Sequence, residues 1–127
     1  MKKIMVVDDD PKQISFLKYV LESLGNQYEV ISANNGMQCF QLLKNNQIPD
    51  LILLDIMMPE MSGWEVLKNL KENSSWKNIP VIFLTARTDE VAKDVGGFLG
   101  DDYIEKPFKK EDLIKKIDNF LKYKYPV

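Results

Sequence analysis

Asp50-Leu51-Ile52-Leu53-Leu54-Asp55-Ile56-Met57-Met58-Pro59 is the stretch on which the reading of this chain turns. Four consecutive aliphatic residues stop abruptly at an acid. A run this short, closed by Pro59 and Gly63, reads as a strand buried on both faces. Such strands belong to parallel sheets covered by helices. Asp55 then falls at the carboxyl end of the strand, the edge at which open α/β sheets bind ligands. An aspartate there can also be an ordinary turn or cap residue, so the rest of the chain must discriminate.

Working outward, Ile4-Met5-Val6-Val7 is a second short strand, and it too runs into acid, Asp8-Asp9-Asp10. Pro11 follows, then Ile14, Leu17, Leu21 and Leu24 at helical spacing, with Gly25 to close the helix. Asp10 is a natural N-cap with Pro11 at the first helical position; Asp8 and Asp9 have no such role. Tyr28 to Ile31 is a weaker strand. Asn34-Asn35-Gly36 reads as a turn, after which Met37, Phe40 and Leu43 mark the core side of a short helix containing Cys39, read as a packed residue. Asn45, Asn46 and Pro49 lead back to the Asp55 strand.

Beyond Asp55, Ser62 and Glu65 have the spacing of a capping box, followed by the apolar stripe Val66, Leu67 and Leu70. Trp64 and Trp76 read as packing residues at the helix ends. Val81-Ile82-Phe83-Leu84 is a fourth strand, ending in Thr85-Ala86. Val91, Ala92, Val95, Phe98 and Leu99 predict a helix weakened by Gly96-Gly97. Asp102 to Glu105 is a fifth strand, ending in Lys106-Pro107. Leu113, Ile114, Ile117, Phe120 and Leu121 predict the most regular helix. Five strands alternating with five helices imply parallel pairing with crossovers on both faces. The expected fold is α/β, a flavodoxin-like (βα)5 three-layer sandwich with a five-stranded parallel sheet in the order 2-1-3-4-5, as one domain over residues 1–127.

Bulk properties narrow the function. The 127 residues are 45% hydrophobic and 28% charged, the composition of a soluble globular protein. A net charge of −2 gives no reason to expect direct nucleic-acid or membrane binding. The absence of histidine removes His-based triads and His-ligated metals. A single cysteine precludes an internal disulfide and favours a reducing compartment. No apolar stretch is long enough to span a membrane, and the run after Met1-Lys2-Lys3 is too short for a signal peptide. A cytoplasmic protein is expected.

On the expected fold Asp8, Asp9, Asp55, Thr85 and Lys106 each follow a strand and meet on one carboxyl edge. Three carboxylates in one pocket repel one another, and the arrangement is reasonable only with a cation. Oxygen ligands without His or Cys favour Mg²⁺, which keeps several waters and bridges to phosphate oxygens. A hydroxyl and an ammonium nearby can donate to those oxygens. A carboxylate can also act as nucleophile and form an aspartyl-phosphate, and Asp55 is central.

Over nearly its whole length the sequence resembles a receiver domain of bacterial two-component response regulators. The resemblance lies in Val6-Val7-Asp8-Asp9-Asp10, in Leu53-Leu54-Asp55-Ile56-Met57-Met58-Pro59-Glu60-Met61-Ser62-Gly63, in Leu84-Thr85-Ala86 and in Asp101-Asp102-Tyr103-Ile104-Glu105-Lys106-Pro107-Phe108. It implies that Asp55 accepts a phosphoryl group from a sensor histidine kinase or phosphotransfer protein. It implies that Asp9, Asp55 and the Met57 carbonyl bind Mg²⁺, with Asp8 acting through water. Thr85 and Lys106 would contact the phosphoryl group, Tyr103 would be the switch residue, and the Lys106-Pro107 bond would be cis. Met57 and Arg87 would modulate dephosphorylation. Leu99-Gly100 runs straight into Asp101, one residue shorter than the family pattern. The domain would pass its signal to an output domain or protein rather than act on an external substrate.

Three rivals remain to be weighed. A haloacid-dehalogenase-type phosphatase would need a second Asp two residues past the nucleophile, where this chain has Met57. An FMN carrier would need a hydroxyl- and Gly-rich loop after the first strand, where this chain has Asp8-Asp9-Asp10. A receiver-like interaction module that works without phosphorylation would have no need of the full set of pocket residues.

Overall fold

The run Leu51–Asp55 becomes the central strand because all five of its residues are buried, which only a strand covered on both faces permits. The computed structural model describes residues 2–23, 27–85, 102–105 and 108–123. Within them the order is β1 (Lys2–Val7), α1 (Pro11–Glu22), β2 (Tyr28–Ala33), α2 (Gly36–Lys44), β3 (Leu51–Asp55), α3 (Gly63–Lys71), β4 (Val81–Thr85), β5 (Asp102–Glu105) and α4 (Lys110–Tyr123). The sheet has the order β2-β1-β3-β4-β5, and every neighbouring pair is parallel. This is the expected flavodoxin-like arrangement. The helix expected over Val91 to Leu99 and the Gly100-Asp101 junction lie outside the described residues.

Successive strand residues face opposite layers. Ile4, Val6, Leu51, Leu53, Ile82 and Leu84 pack with α1 and α4. Met5, Val7, Ile52, Leu54 and Phe83 pack with α2 and α3. The two clusters make a three-layer core with the sheet in the middle.

The helix signals work as chemistry dictates, with two corrections in α2. Asp10 caps α1 by accepting from the Lys12 N–H, with Pro11 at its start. Ser62 caps α3 through the Glu65 N–H, at 3.3 Å. Helix α1 ends at Glu22 with Ser23 as its cap; Gly25, expected to close it, lies outside the described residues. Asn35 is the N-cap of α2 and Gly36 its first residue, so the expected turn is already the helix start. Phe40 and Leu43 lie on the core side of α2 as expected, but Met37 is 64% exposed. Gly36, Cys39, Phe40 and Leu43 form the i, i+3, i+4, i+7 face, and Met37 falls about 100° from its centre. Cys39 is packed as expected, and burial pushes its thiol up to about 12. Trp64 packs on Phe83 and Trp76 stacks on Phe40, both as packing residues.

One long-range polar contact ties the outer strand β2 to α4: the Tyr28 hydroxyl donates to Asp118 Oδ1. Burial, then this hydrogen bond, then the Asp118 charge raise the Tyr28 pKa above its ordinary value of 10.0. The folded protein therefore holds a proton that the unfolded chain releases. The associated stability is fully present below pH 10 and is lost as pH rises above it. Tyr28→Phe is expected to cost about 1–2 kcal/mol at neutral pH in urea unfolding. The gap to wild type should narrow above pH 10; a gap independent of pH would show that the hydroxyl does not carry this coupling.

Candidate functional site

Val7 lies opposite Leu54 in the β1–β3 register, so the next residue of each strand, Asp8 and Asp55, emerges at the same edge of the sheet. Asp9 follows directly. One carboxylate oxygen from each of Asp8, Asp9 and Asp55 lies within 4.8 Å of the other two. Asp8 is 1% exposed and Asp55 6%, whereas Asp9 faces solvent. The pocket is therefore walled by two buried acids and entered past a third.

Local backbone geometry holds these groups. The Asp8 N–H donates to the Ala33 carbonyl at 3.1 Å, and the Asp8 Oδ1 accepts from the Asp10 N–H at 2.9 Å. The Ile56 N–H donates to the Leu84 carbonyl at 3.3 Å, which extends the β3–β4 pairing past Asp55. The loop then turns back on itself through Glu60, whose φ of 67° is left-handed. Gly63, the first residue of α3, donates to the Ile56 carbonyl at 2.9 Å. A Cβ on Gly63 would lie 2.4 Å from the Asp55 carbonyl oxygen and 2.8 Å from the Ile56 Cα. Only glycine lets the helix start press this closely on the strand end that carries Asp55.

Of the other expected residues, Met57 and Tyr103 are described with their side chains and Thr85 by its backbone. Thr85 ends β4 beside Glu105; its side chain lies outside the described residues. Lys106, Pro107 and Arg87 also lie outside them. Met57, two residues past Asp55, is 56% exposed. Tyr103 sits on β5 opposite Phe83, half-buried against the α2–α3 side of the core. Sequence reasoning gave no weight to two residues that the structure brings into play. Gly63 was legible only as a turn residue, because its contact is with backbone. Lys116 lies on α4, and its Nζ donates to the Tyr103 carbonyl at 2.6 Å; no pattern along the chain links the two.

The donor set fits a hard divalent cation. Octahedral Mg²⁺ at about 2.1 Å from its ligands holds neighbouring oxygens about 3 Å apart and opposite ones about 4 Å apart. Three carboxylate oxygens within 4.8 Å reach that spacing by small side-chain rotations. Without a cation they repel one another. Asp9→Asn is the cleanest relief, because Asp9 is exposed and the amide keeps the shape. In EDTA this variant is expected to melt roughly 2–6 °C above wild type. Excess divalent cation should raise the melting temperature of wild type more than that of the variant. Equal melting curves for the two proteins in EDTA would remove repulsion as the organising feature.

Comparison with known proteins agrees with this geometry. The family model described as the response regulator receiver domain matches residues 4–118. The transcriptional regulatory protein CpxR of Escherichia coli (strain K12) is 42% identical over 123 residues, which cover 96% of this chain and 50% of that protein. The chain thus spans about half the length of the curated relatives it matches. The receiver domain of the Francisella response regulator 1452 superposes with a TM-score of 0.86 at 32% identity, covering 98% of this chain and 100% of that one. The Vibrio cholerae chemotaxis protein CheY4 superposes with a TM-score of 0.82 at 30% identity, covering 94% of this chain and 98% of that one. Buried acids at the ends of β1 and β3, on a sheet of this order, accompany a match through most of the chain, and the protein belongs to the receiver domains of two-component response regulators, which serve phosphorylation-controlled signalling.

Proposed function

We propose that Asp55 is the phospho-acceptor of this receiver domain, that Asp8, Asp9, Asp55 and the Met57 carbonyl hold Mg²⁺, and that Thr85 and Lys106 contact the phosphoryl group. The observation that carries this reading is the acid cluster: three carboxylates within 4.8 Å, two of them buried, at the carboxyl edge of the sheet. Asp55 is the central member and ends the central strand. The phosphodonor is a sensor histidine kinase or phosphotransfer protein. An Asp55 carboxylate oxygen attacks the phosphorus, the new P–O bond forms, and the bond from phosphorus to the donor nitrogen breaks, its electron pair staying on the donor imidazole. Bound Mg²⁺ supplies positive charge to the phosphoryl oxygens. The Thr85 hydroxyl and Lys106 ammonium donate to the same oxygens, and Tyr103 turns inward when Thr85 moves toward the phosphate. The domain catalyses only its own phosphorylation and dephosphorylation. We read residues 1–127 as one cytoplasmic domain. CpxR is named a transcriptional regulatory protein and is twice as long as the matched part. Signal output from this chain therefore goes to a further domain or partner protein, with no direct nucleic-acid or membrane contact by the receiver itself. A phosphorylation-independent interaction module is disfavoured, since it gains nothing from gathering three acids.

Acetyl phosphate with Mg²⁺ should label wild type and leave Asp55→Asn unlabelled, as read by intact mass. Asp9→Ala should lose both labelling and Mg²⁺-dependent stabilisation. Full labelling of Asp55→Asn at another residue would overturn the assignment of the acceptor.

Phosphoryl lifetime is the second testable consequence. Hydrolysis needs a water in line with the phosphorus. Met57 is exposed beside the acceptor and offers no useful hydrogen bond to such a water. Arg87 is a donor only and cannot act as a base at neutral pH. Self-dephosphorylation is therefore slow. Met57→Asn and Arg87→Glu should each speed loss of label by several-fold once donor is removed. Unchanged rates in both variants would show that these positions do not set the lifetime.

A further inference from the structure

Tyr103 occupies the terminal strand of the sheet and packs on the α2–α3 side. Lys116 belongs to α4, whose buried residues Leu113, Ile117 and Leu121 serve the opposite layer. The Lys116 side chain nevertheless reaches around β5. Its Nζ donates to the Tyr103 carbonyl at 2.6 Å and lies 5.1 Å from the centroid of the Tyr103 ring. The first distance is that of a charge-assisted hydrogen bond. The second is within the range at which an ammonium is attracted to an aromatic face. One cation thus grips both the backbone and the ring of the same residue. The backbone contact also gives a partner to a carbonyl on a terminal strand, where ladder partners run out.

We propose that Lys116 is a positioning residue for Tyr103, its ammonium holding the ring at the β5 edge and so opposing the inward turn that accompanies phosphorylation. The inference rests on the reading of Tyr103 as the switch residue. Lys116 is anchored on the opposite layer and meets the ring only around the strand edge, so an inward turn takes the ring off the ammonium. The carbonyl bond survives that turn, because side-chain rotation leaves the backbone in place. The charge at position 116 therefore biases the ring equilibrium without being needed for the strand itself. A ligand that favours the inward ring must overcome the contact, and removing the contact tightens that ligand by the same factor.

The test uses full-length chain labelled with 3-fluorotyrosine, followed by ¹⁹F NMR, with the Tyr103 line assigned by Tyr103→Phe. Beryllofluoride with Mg²⁺ is the phosphoryl mimic. Lys116→Met should move the unliganded Tyr103 line toward its beryllofluoride-bound position and tighten apparent beryllofluoride affinity about two- to fivefold. Lys116→Arg, which keeps charge and stacking, should stay close to wild type. In a Tyr103→Leu background Lys116→Met should leave the affinity unchanged, since the ring contact is already gone. Lys116→Gln replaces Lys116→Met if the latter does not fold. An unmoved Tyr103 line with unchanged affinity, or an equal change of affinity in the Tyr103→Leu background, would overturn the proposal. Failure of wild type to bind beryllofluoride through Asp55 would instead defeat the phospho-acceptor reading, and a shift of the unliganded Tyr103 line in Lys116→Met but not in Lys116→Arg, or its absence, would still decide the positioning role.

Discussion

The register of β1 against β3 is the constraint on which the rest of this molecule depends. Val7 opposite Leu54 delivers Asp8 and Asp55 side by side at the carboxyl edge, two acids with 1% and 6% exposure. At an effective dielectric of about 20, like charges 4.8 Å apart repel by about 3 kcal/mol. The folded state carries that repulsion because both faces of the same two strands are fully packed. Ile4, Val6, Leu51 and Leu53 lie on one face and Met5, Val7, Ile52 and Leu54 on the other, all without exposure. A slip of one residue would turn every one of these side chains to the wrong layer. The core therefore holds the three acids together, and the pocket is assembled by the packing of the strands alone.

The strand end that carries Asp55 is held from the far side by α3. Gly63 allows the helix start to approach the Asp55 and Ile56 backbone more closely than any side chain would permit. The left-handed residue Glu60 turns the intervening loop, and Met61 lies over Gly36 at the start of α2. The loop after Asp55 is thus wedged between the first turns of two helices. Met57, two residues past Asp55, stands out into solvent.

At the other side of the sheet a cation meets the terminal strand. Among the described residues β5 is paired through β4 alone. Its Tyr103 carries an ammonium on its carbonyl and over its ring, brought from a helix whose apolar face belongs to the opposite layer. The same helix reaches β2 through Asp118 and Tyr28. Helix α4 therefore bridges the two outer strands of the sheet, through Tyr28 on β2 and Tyr103 on β5.

The fold was legible in the residues because its signals are local. Three buried aliphatic runs ending in polar residues, the Asp10–Pro11 and Ser62 caps and the stripes at helical spacing depend on neighbours a few positions away, and they place most of the strands, the helices and the acids at their junctions. Even there the local signal failed at Met37, where an apolar side chain faces solvent because the core face of α2 runs through Gly36, Cys39, Phe40 and Leu43. The strand order and the meeting of the acids at one edge were expected from the alternation of elements; tertiary structure alone decided that oxygens of Asp8, Asp9 and Asp55 come within 4.8 Å of one another. It alone revealed why position 63 is glycine, how Tyr28 meets Asp118, and that Lys116 reaches Tyr103 around the strand edge. These contacts join residues far apart in the chain through register and helix placement, and periodicity along a sequence carries no record of which distant backbone a side chain will meet.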